Sequence, residues 1–380
     1  MGGLLVMVTR VLVCLLVVSL LPSVASGEVA PSSTVASRAE LVAGNAQFAL
    51  GLYGRVARGG GNAVVSPLSV SIASAMLYAG ARGGTEAEIA NALGFSLPQS
   101  ALHVAFADLL SDLHKRVKPW AKLVIASGAW VDRCCVLTPA FADLLSSRYD
   151  ATTEAVDFGR APAEAARSIN DWVTNVTDGK ITSVVNPSMF DEDTRLTMVN
   201  AVYFLAAWEH RFAVDATRDE SFHLPDDAIV PVPMMHRSCV VPYYDDESVQ
   251  VLELPYQGGG ISMVLVLPRT GVDLALVEER LSPELLSKWL GGLARRGVDV
   301  AVPRFETASR INLVPILVDL GMKRAFRPME ADLTGICPRR DLYVGRADHL
   351  VTIGITERGT EAAAATVYIV YEDIESEPDD

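Results

Sequence analysis

The sequence lacks the motifs that most enzymes carry. It contains no GxSxG elbow, no HExxH pair, no phosphate-binding loop and no CxxC pair, and its 6 histidines stand apart from one another. Isolated histidines are more often structural than catalytic, because catalysis needs several such groups together. These absences predict a protein that is not an enzyme, and they indicate no metal site or cofactor.

Cysteine, positive charge and long apolar runs are also scarce. The 380 residues include 5 cysteines, too few for a scaffold held together by disulfides. A formal net charge of −14 disfavours nucleic acid and anionic membranes as general partners. No stretch reaches the roughly 18 uninterrupted apolar residues of a spanning helix. We therefore expect no nucleic-acid partner and no membrane partner.

The N-terminal residues 1–27 have the pattern of a secretory signal peptide. Arg10 precedes the apolar run 11–18, and proline and small residues follow it. Without Arg10, 31 Lys and Arg face 46 Asp and Glu, so the net charge becomes −15. We expect a secreted, extracellular chain that begins at about residue 28.

Two further features concern an exported chain. Asn175-Val176-Thr177 is a sequon that would accept a glycan on Asn175. One disulfide is allowed, although the sequence does not reveal its partners. The cysteines outside the signal peptide are Cys134, Cys135, Cys239 and Cys337.

Helical and strand patterns mix along the chain without a regular alternation. Apolar spacing predicts a helix over 45–55, and Ser66-Pro67 predicts a second helix with a serine cap. Thr85 and Glu88 have the spacing of a capping box at the start of a third. Further helices are predicted at 274–290 and 313–320, and strands at 123–131, 196–204, 249–256, 261–268 and 299–305. This mixture indicates an α+β architecture.

Six stretches, in this order, resemble the motifs of the serpin family. They lie at 66–89, 169–181, 199–212, 251–256, 320–326 and 357–366. The resemblance implies an α+β, serpin-like fold: a large central β-sheet and further sheets, surrounded by helices, with an exposed reactive-centre loop. The serpin domain would cover 28–380, and its loop would cover about 359–380.

The resemblance implies a suicide inhibitor that works as a monomer. A target serine (or cysteine) protease would cut the loop and remain covalently attached while the loop inserts into the central sheet. Gly359 would supply the dihedral freedom of a hinge. The hinge would comprise Glu357, Gly359, Thr360, Glu361, Ala362, Ala363, Ala364, Ala365 and Thr366.

The hinge residues suit a strand that must be buried. Side chains alternate along a strand, so those of Thr360, Ala362, Ala364 and Thr366 would point into the protein, and those of Glu361, Ala363 and Ala365 would point out. The inward set is small and uncharged, whereas each larger residue would cost about 1–3 kcal/mol. The competing interpretation is a helix-forming linker, since alanine is the best helix former.

Five positions match residues at which the serpin sheet opens. Ser66, Ser69, Asn200 and His349 match a polar network, and Trp208 matches a tryptophan at the top of the sheet. A buried hydrogen-bonded cluster can hold two strands closed and re-form after a new strand enters. Each residue alone would have an ordinary structural role.

The family's spacing from the hinge glycine places the cut bond between Asp373 and Ile374. Residues 370–373 would then suit a protease that cuts after aspartate. The acidic residues from Glu372 to Asp380 could equally form a solvated tail. The chain is short after Asp373 compared with serpins, which continue with two buried strands of a second sheet.

Two alternatives stay open for the function and for one surface patch. The protein could be a non-inhibitory carrier or binding serpin, or an inactive truncated product, although carriers typically have bulky or charged hinge residues.

The basic residues Lys115, Arg116, Lys118 and Lys122 follow the helix that binds heparin in some serpins. They could bind a glycosaminoglycan, or they could be cations favoured by the helix dipole.

Overall fold

Helices surround two β-sheets. A computed structural model of the chain describes residues 12–14, 33–117, 119–224, 228–338 and 341–373. The helices within these ranges are α1 (Ser33–Ala57), α2 (Pro67–Gly80), α3 (Gly83–Leu93), α4 (Gln99–Val117), α5 (Pro139–Tyr149), α6 (Pro162–Val176), α7 (Leu274–Arg280), α8 (Pro283–Gly291) and α9 (Val314–Asp319). The strands are β1 (Leu12–Cys14), β2 (Ala121–Asp132), β3 (Thr152–Val156), β4 (Thr194–Ala207), β5 (Arg218–His223), β6 (Ile229–Asp245), β7 (Val249–Pro255), β8 (Ser262–Pro268), β9 (Ala294–Pro303), β10 (Phe305–Asn312), β11 (Leu342–Thr356) and β12 (Gly359–Glu372). Among the described residues, no helix is both long and apolar enough to cross a membrane.

The central sheet has the strand order β10-β11-β12-β4-β2-β3. Neighbouring strands run antiparallel, except for the parallel pair β2 and β3. β11 and β12 form a hairpin in which Thr356 pairs with Gly359, so the connection is only Glu357-Arg358. β12 therefore has a strand on each side, although it comes last in the chain order.

The second sheet has the order β1-β8-β7-β6-β5, and β9 also pairs with β6. The predicted hairpin between β7 and β8 is present, with Pro255 opposite Ser262. β1 lies within the predicted signal peptide, and its Leu12 pairs with Val266 of β8. β1 thus covers part of the β8 edge.

The central sheet is buried on both faces. One face packs against α2 and α4 in a large core that includes Met76, Phe106 and Leu196. The other face packs under α6 in a second core that includes Trp130 and Ile169. A strand in the middle of this sheet must therefore present side chains that tolerate burial in both directions.

Several local predictions differ from the structure. Ser66 precedes α2, but its side chain makes no cap hydrogen bond. α3 starts at Gly83, and the Thr85 hydroxyl accepts from the Asp332 amide at 2.9 Å, so Thr85 does not cap α3. Segment 274–290 forms two helices because Pro283 starts a new one. Segment 299–305 contains the end of β9 and the start of β10. The α+β class itself is confirmed.

Candidate functional site

The predicted reactive loop lies inside the central sheet, not outside it. Residues 359–372 pair with β11 along their whole length and with β4 from Gly359 to Tyr371. A strand in this position makes ladder hydrogen bonds on both sides, which an exposed loop does not. The expectation of an exposed loop is therefore wrong for residues 359–372 of this structure.

Both faces of the inserted hinge are buried. The side chains expected to point inward, at Thr360, Ala362, Ala364 and Thr366, are at most 7% exposed. On the opposite face, Ala363 and Ala365 are also buried, because the core under α6 covers them. The small residues from Ala362 to Thr366 therefore fit between two covered faces.

A chain of hydrogen bonds joins α2 to the strands at the middle of the sheet. The Ser66 amide donates to His349 Nε2 at 3.0 Å, and His349 Nδ1 lies 2.8 Å from Thr366 Oγ1. Thr366 Oγ1 lies 3.0 Å from Ser69 Oγ, which donates to the Asn200 carbonyl at 3.2 Å. The structure thus brings together the four predicted network residues, and Thr366 of β12 completes the chain.

The hydrogen-bond partners determine which atom is the donor in each bond of this network. Because His349 Nε2 accepts, its Nδ1 carries the proton and donates to Thr366. Because Ser69 gives its proton to Asn200, the Thr366 hydroxyl must donate to Ser69. Burial lowers the pKa of His349 to about 3, so the ring is neutral, as this arrangement requires.

We expect acid to destabilise the inserted form through His349. Its pKa falls from 6.5 to about 3 on folding. Above pH 6.5 the free energy of unfolding is therefore at its full value. As the pH falls from 6.5 towards 3 it decreases by about 1.4 kcal/mol per pH unit, which amounts to roughly 2.7 kcal/mol at pH 4.5. Urea unfolding of the inserted form of the wild type and of His349→Asn at pH 7, 5.5 and 4.5 measures this change.

The free-energy difference between wild type and His349→Asn should shrink as the pH falls. His114→Asn serves as the control, since His114 lies on α4, away from the network. That variant should follow the wild-type pH dependence. If the free energies of unfolding of the wild type and of His349→Asn changed in parallel with pH, the assignment of this pH dependence to His349 would be contradicted.

An aromatic stack covers the start of the inserted strand. The rings of Trp208 and Tyr256 stack at 4.6 Å, and Trp208 Nε1 donates to the Thr356 carbonyl at 2.9 Å. The Tyr256 hydroxyl donates to Thr360 Oγ1 at 2.7 Å. Trp208 therefore lies where β12 begins, and Tyr256 links it to the first hinge threonine.

In the inserted strand, Gly359 is also needed for close packing, and its role as a hinge stays a prediction. Its φ is outside the left-handed region, but a Cβ atom would lie 2.0 Å from the Ala206 carbonyl oxygen. The β4 backbone approaches too closely for any side chain.

At Glu357, burial opposes ionisation, but hydrogen bonds from its own amide and from Thr217, together with Arg304, lower the pKa.

The far end of β12 is also fixed to the protein. The hydroxyls of Tyr368 and Ser74 lie 2.7 Å apart, and the Tyr371 hydroxyl donates to the Met189 carbonyl at 2.7 Å. Glu372 is buried and forms an ion pair with Arg195. In this structure Glu372 is therefore not part of a solvated tail.

The predicted cleavage residues lie at this end. The Asp373 amide donates to the Asp341 carbonyl at 2.7 Å. Ile374 lies outside the described residues. Burial raises the pKa of Asp193, and Asp191, Glu192 and finally Asp373 raise it further, so the Asp373 carboxylate lies near other acids here.

The remaining predicted surface residues lie away from β12, with one exception. Lys122 pairs with Asp178 at 3.1 Å and stands 4.9 Å from the centre of the Tyr203 ring, which borders the hinge. Arg116 pairs with Asp112 at 2.8 Å. Lys115 lies in the last turn of α4, and Lys118 lies outside the described residues. Two of the four cations thus already have carboxylate partners.

The sequon occupies the end of α6. Asn175 is exposed, but the Thr177 hydroxyl is buried and donates to the Val173 carbonyl at 2.7 Å. Because the hydroxyl is engaged in the folded protein, a glycan on Asn175 would have to be added before this turn packs. Glycosylation stays a prediction.

Sequence reasoning missed three partners of the site. Ser127 accepts from Asn200 Nδ2 at 3.3 Å, Ser74 contacts Tyr368, and Tyr256 bonds Thr360. Ser74 follows Ser69 on α2, which was an available signal. The other two come from β2 and the end of β7, and nothing local indicates that they meet β12.

These features define a protein that holds its own segment 359–372 as a middle strand of the central sheet. The family model for serpins, described as serine protease inhibitors, matches residues 43–379. The chain therefore belongs to the serpin family. It is 35% identical over 337 residues to the leukocyte elastase inhibitor of Equus caballus, covering 86% of this chain and 88% of that protein.

Two solved structures extend the comparison. Cleaved Serpin 42Da has a TM-score of 0.83 at 31% identity, covering 88% of this chain and 91% of that one. Thyroxine-binding globulin in complex with thyroxine-fluorescein has a TM-score of 0.81 at 28% identity, covering 87% and 99%. The serpin-like fold is confirmed, and the family includes inhibitors as well as a ligand-binding protein.

Proposed function

We propose that the protein is a secreted inhibitor of a serine or cysteine endopeptidase and acts as a suicide substrate. The observation that carries this proposal is the fit of β12 between β11 and β4. Its hinge presents small side chains to two buried faces, and Thr366 completes a network that α2 and β11 already hold. Relatives named as protease inhibitors support the same function.

The inhibitory step begins as ordinary peptide hydrolysis. The protease nucleophile attacks the carbonyl carbon of the residue before the cut, which we place at Asp373. The bond to Ile374 breaks, its nitrogen leaves as an amine, and an acyl bond joins the inhibitor to the protease. Insertion of residues 359–372 then carries this acyl bond from the Trp208 end of the sheet to the Glu372 end.

Insertion of the loop would cover a long distance and release a large free energy. A strand of 14 residues at about 3.3 Å per residue spans roughly 46 Å. On the order of ten new ladder bonds at about 1 kcal/mol each supply roughly 10 kcal/mol. This equals the stability of a typical domain, so the exposed-loop form must be kept by a kinetic barrier.

A carrier function is the second candidate, because the similar thyroxine-binding globulin binds a small ligand. An apolar recess of about 540 Å³, including its open mouth, lies between β7, β8 and β9. Its lining includes Tyr243, Leu252, Leu265 and Val300. The enclosed space is only about 60 Å³, which is below the range of small-molecule sites. Polysaccharide binding by the basic residues near α4 stays a separate proposal.

We expect a panel of serine and cysteine proteases to contain one that forms a complex stable in SDS with the purified mature protein. Enzymes that cut after aspartate are tested first. Mass spectrometry of the released peptide locates the cut, which is predicted to follow Asp373. Cleavage within residues 367–374 without any complex would favour the carrier or inactive alternative.

A further inference from the structure

Two buried cysteines meet at the end of the central sheet where β12 finishes. Cys135 follows β2, and Cys337 lies in the segment that leads into β11. The Cys135 thiol is hydrogen-bonded to Cys337, and the two residues are 8% and 3% exposed. Two separate chain segments thus place a pair of thiols side by side.

Hydrogen bonds beside the cysteines hold the two segments together. The Thr138 amide donates to the Ile336 carbonyl at 2.8 Å, and the Thr138 hydroxyl donates to the Gly335 carbonyl at 2.6 Å. Thr138 is three residues after Cys135, and Ile336 immediately precedes Cys337. The proximity of the thiols is therefore fixed by the backbone.

We propose that Cys135 and Cys337 form a disulfide in the mature protein. The two thiols lose two protons and two electrons as the S–S bond forms. The electrons pass to the disulfide of a thiol–disulfide oxidoreductase or of oxidised glutathione, which becomes two thiols. The bond itself does not depend on the proposed inhibitory function.

Burial determines when this bond can form. Burial, followed by the neighbouring Cys337, raises the pKa of Cys135 to about 12, so the folded protein holds little thiolate for exchange. The bond therefore forms while the chain folds, before the two segments pack. Once formed, it is shielded from reductants.

The other described cysteines are placed differently. Cys134 is exposed, and its amide donates to Asp132 at 2.9 Å. Cys239 lies in β6 of the second sheet, with Arg237 Nη2 3.3 Å from its sulfur. Cys134→Ser and Cys239→Ser are therefore matched controls for Cys135→Ser and Cys337→Ser.

The disulfide would connect the two halves of the sheet that β12 separates. Cys135 follows β2, which lies on the β4 side of β12, and Cys337 precedes β11, which lies on the other side. The two cysteines are 202 positions apart, from 135 to 337. Closing so long a loop restrains the unfolded chain strongly. The bond would restrain the halves at the end of the sheet that an inserting strand reaches last.

Peptide mapping under non-reducing conditions tests the proposal. The protein, refolded in a glutathione redox buffer, is denatured, alkylated without reduction and digested. We expect a cross-linked peptide that contains Cys135 and Cys337, with Cys134 and Cys239 alkylated. Alkylation of all four thiols, or a cross-link between other cysteines, would overturn the proposal.

Thermal unfolding gives a second readout. Cys135→Ser and Cys337→Ser are expected to melt about 3–7 °C below the wild type. Reduction of the denatured wild type before refolding without oxidant should give the same shift. The two control variants should keep both the cross-linked peptide and its sensitivity to reduction. Equal melting of oxidised and reduced wild type would contradict a stabilising bond.

Discussion

Thr360→Arg is expected to convert the protein from an inhibitor into a substrate. Thr360 is 2% exposed in β12, and its hydroxyl accepts from Tyr256, which stacks on Trp208. An arginine would displace this packing and bury a charge, at a cost of several kcal/mol. Insertion would slow at its first step, so the acyl bond would hydrolyse before the protease is moved.

The variant is tested with a protease that forms the SDS-stable complex with the wild type. The complex should disappear, while cleavage at the same bond continues at a similar initial rate. Arg358→Ala is the control, because Arg358 lies exposed in the turn before β12, and this variant should still inhibit. Unchanged inhibition by Thr360→Arg would refute insertion as the mechanism.

The sequence predicted the parts of the site that depend on short motifs. Ser66, Ser69 and Asn200 lie within stretches that resemble serpins, and His349, outside these stretches, was matched to the same family network. The role of Thr366 as the residue that joins His349 to Ser69 was not foreseen. It depends on the register of β12 against β11 and β4, which the local sequence does not specify.

The errors have a common physical cause. Alternation along the strand correctly separates its two faces, but it cannot tell what covers each face. α6 covers the face of Ala363 and Ala365, and Arg195 pairs with Glu372. At Gly359, the close approach of β4 adds a requirement that the local sequence does not reveal. Each depends on residues distant in sequence.

β12 divides into two parts with different side chains. From Gly359 to Thr366 the side chains are mostly small, whereas residues 367–370 are large and fully buried. Tyr368 is an inward residue of full aromatic size, and α2 accommodates it by offering the hydroxyl of Ser74. The small residues therefore permit entry, and the later residues supply most of the apolar burial that insertion gains.

Cutting the loop of the exposed-loop form is expected to raise its melting temperature by more than about 10 °C. The estimate converts roughly 10 kcal/mol of ladder hydrogen bonds through the unfolding entropy of a chain of this size. Limited proteolysis near Asp373 identifies the exposed form, since β12 is inaccessible once inserted. Differential scanning calorimetry before and after this cut measures the change.

Tyr368→Ala separates insertion from other effects of cleavage. Removing a buried aromatic side chain costs about 3–5 kcal/mol, so the cut variant should melt several degrees below the cut wild type. The uncut variant should melt close to the uncut wild type, because Tyr368 contributes to the core only after insertion. If the cut wild type melts at the temperature of the uncut protein, the loop stores no such free energy, and β12 does not form by insertion after cleavage.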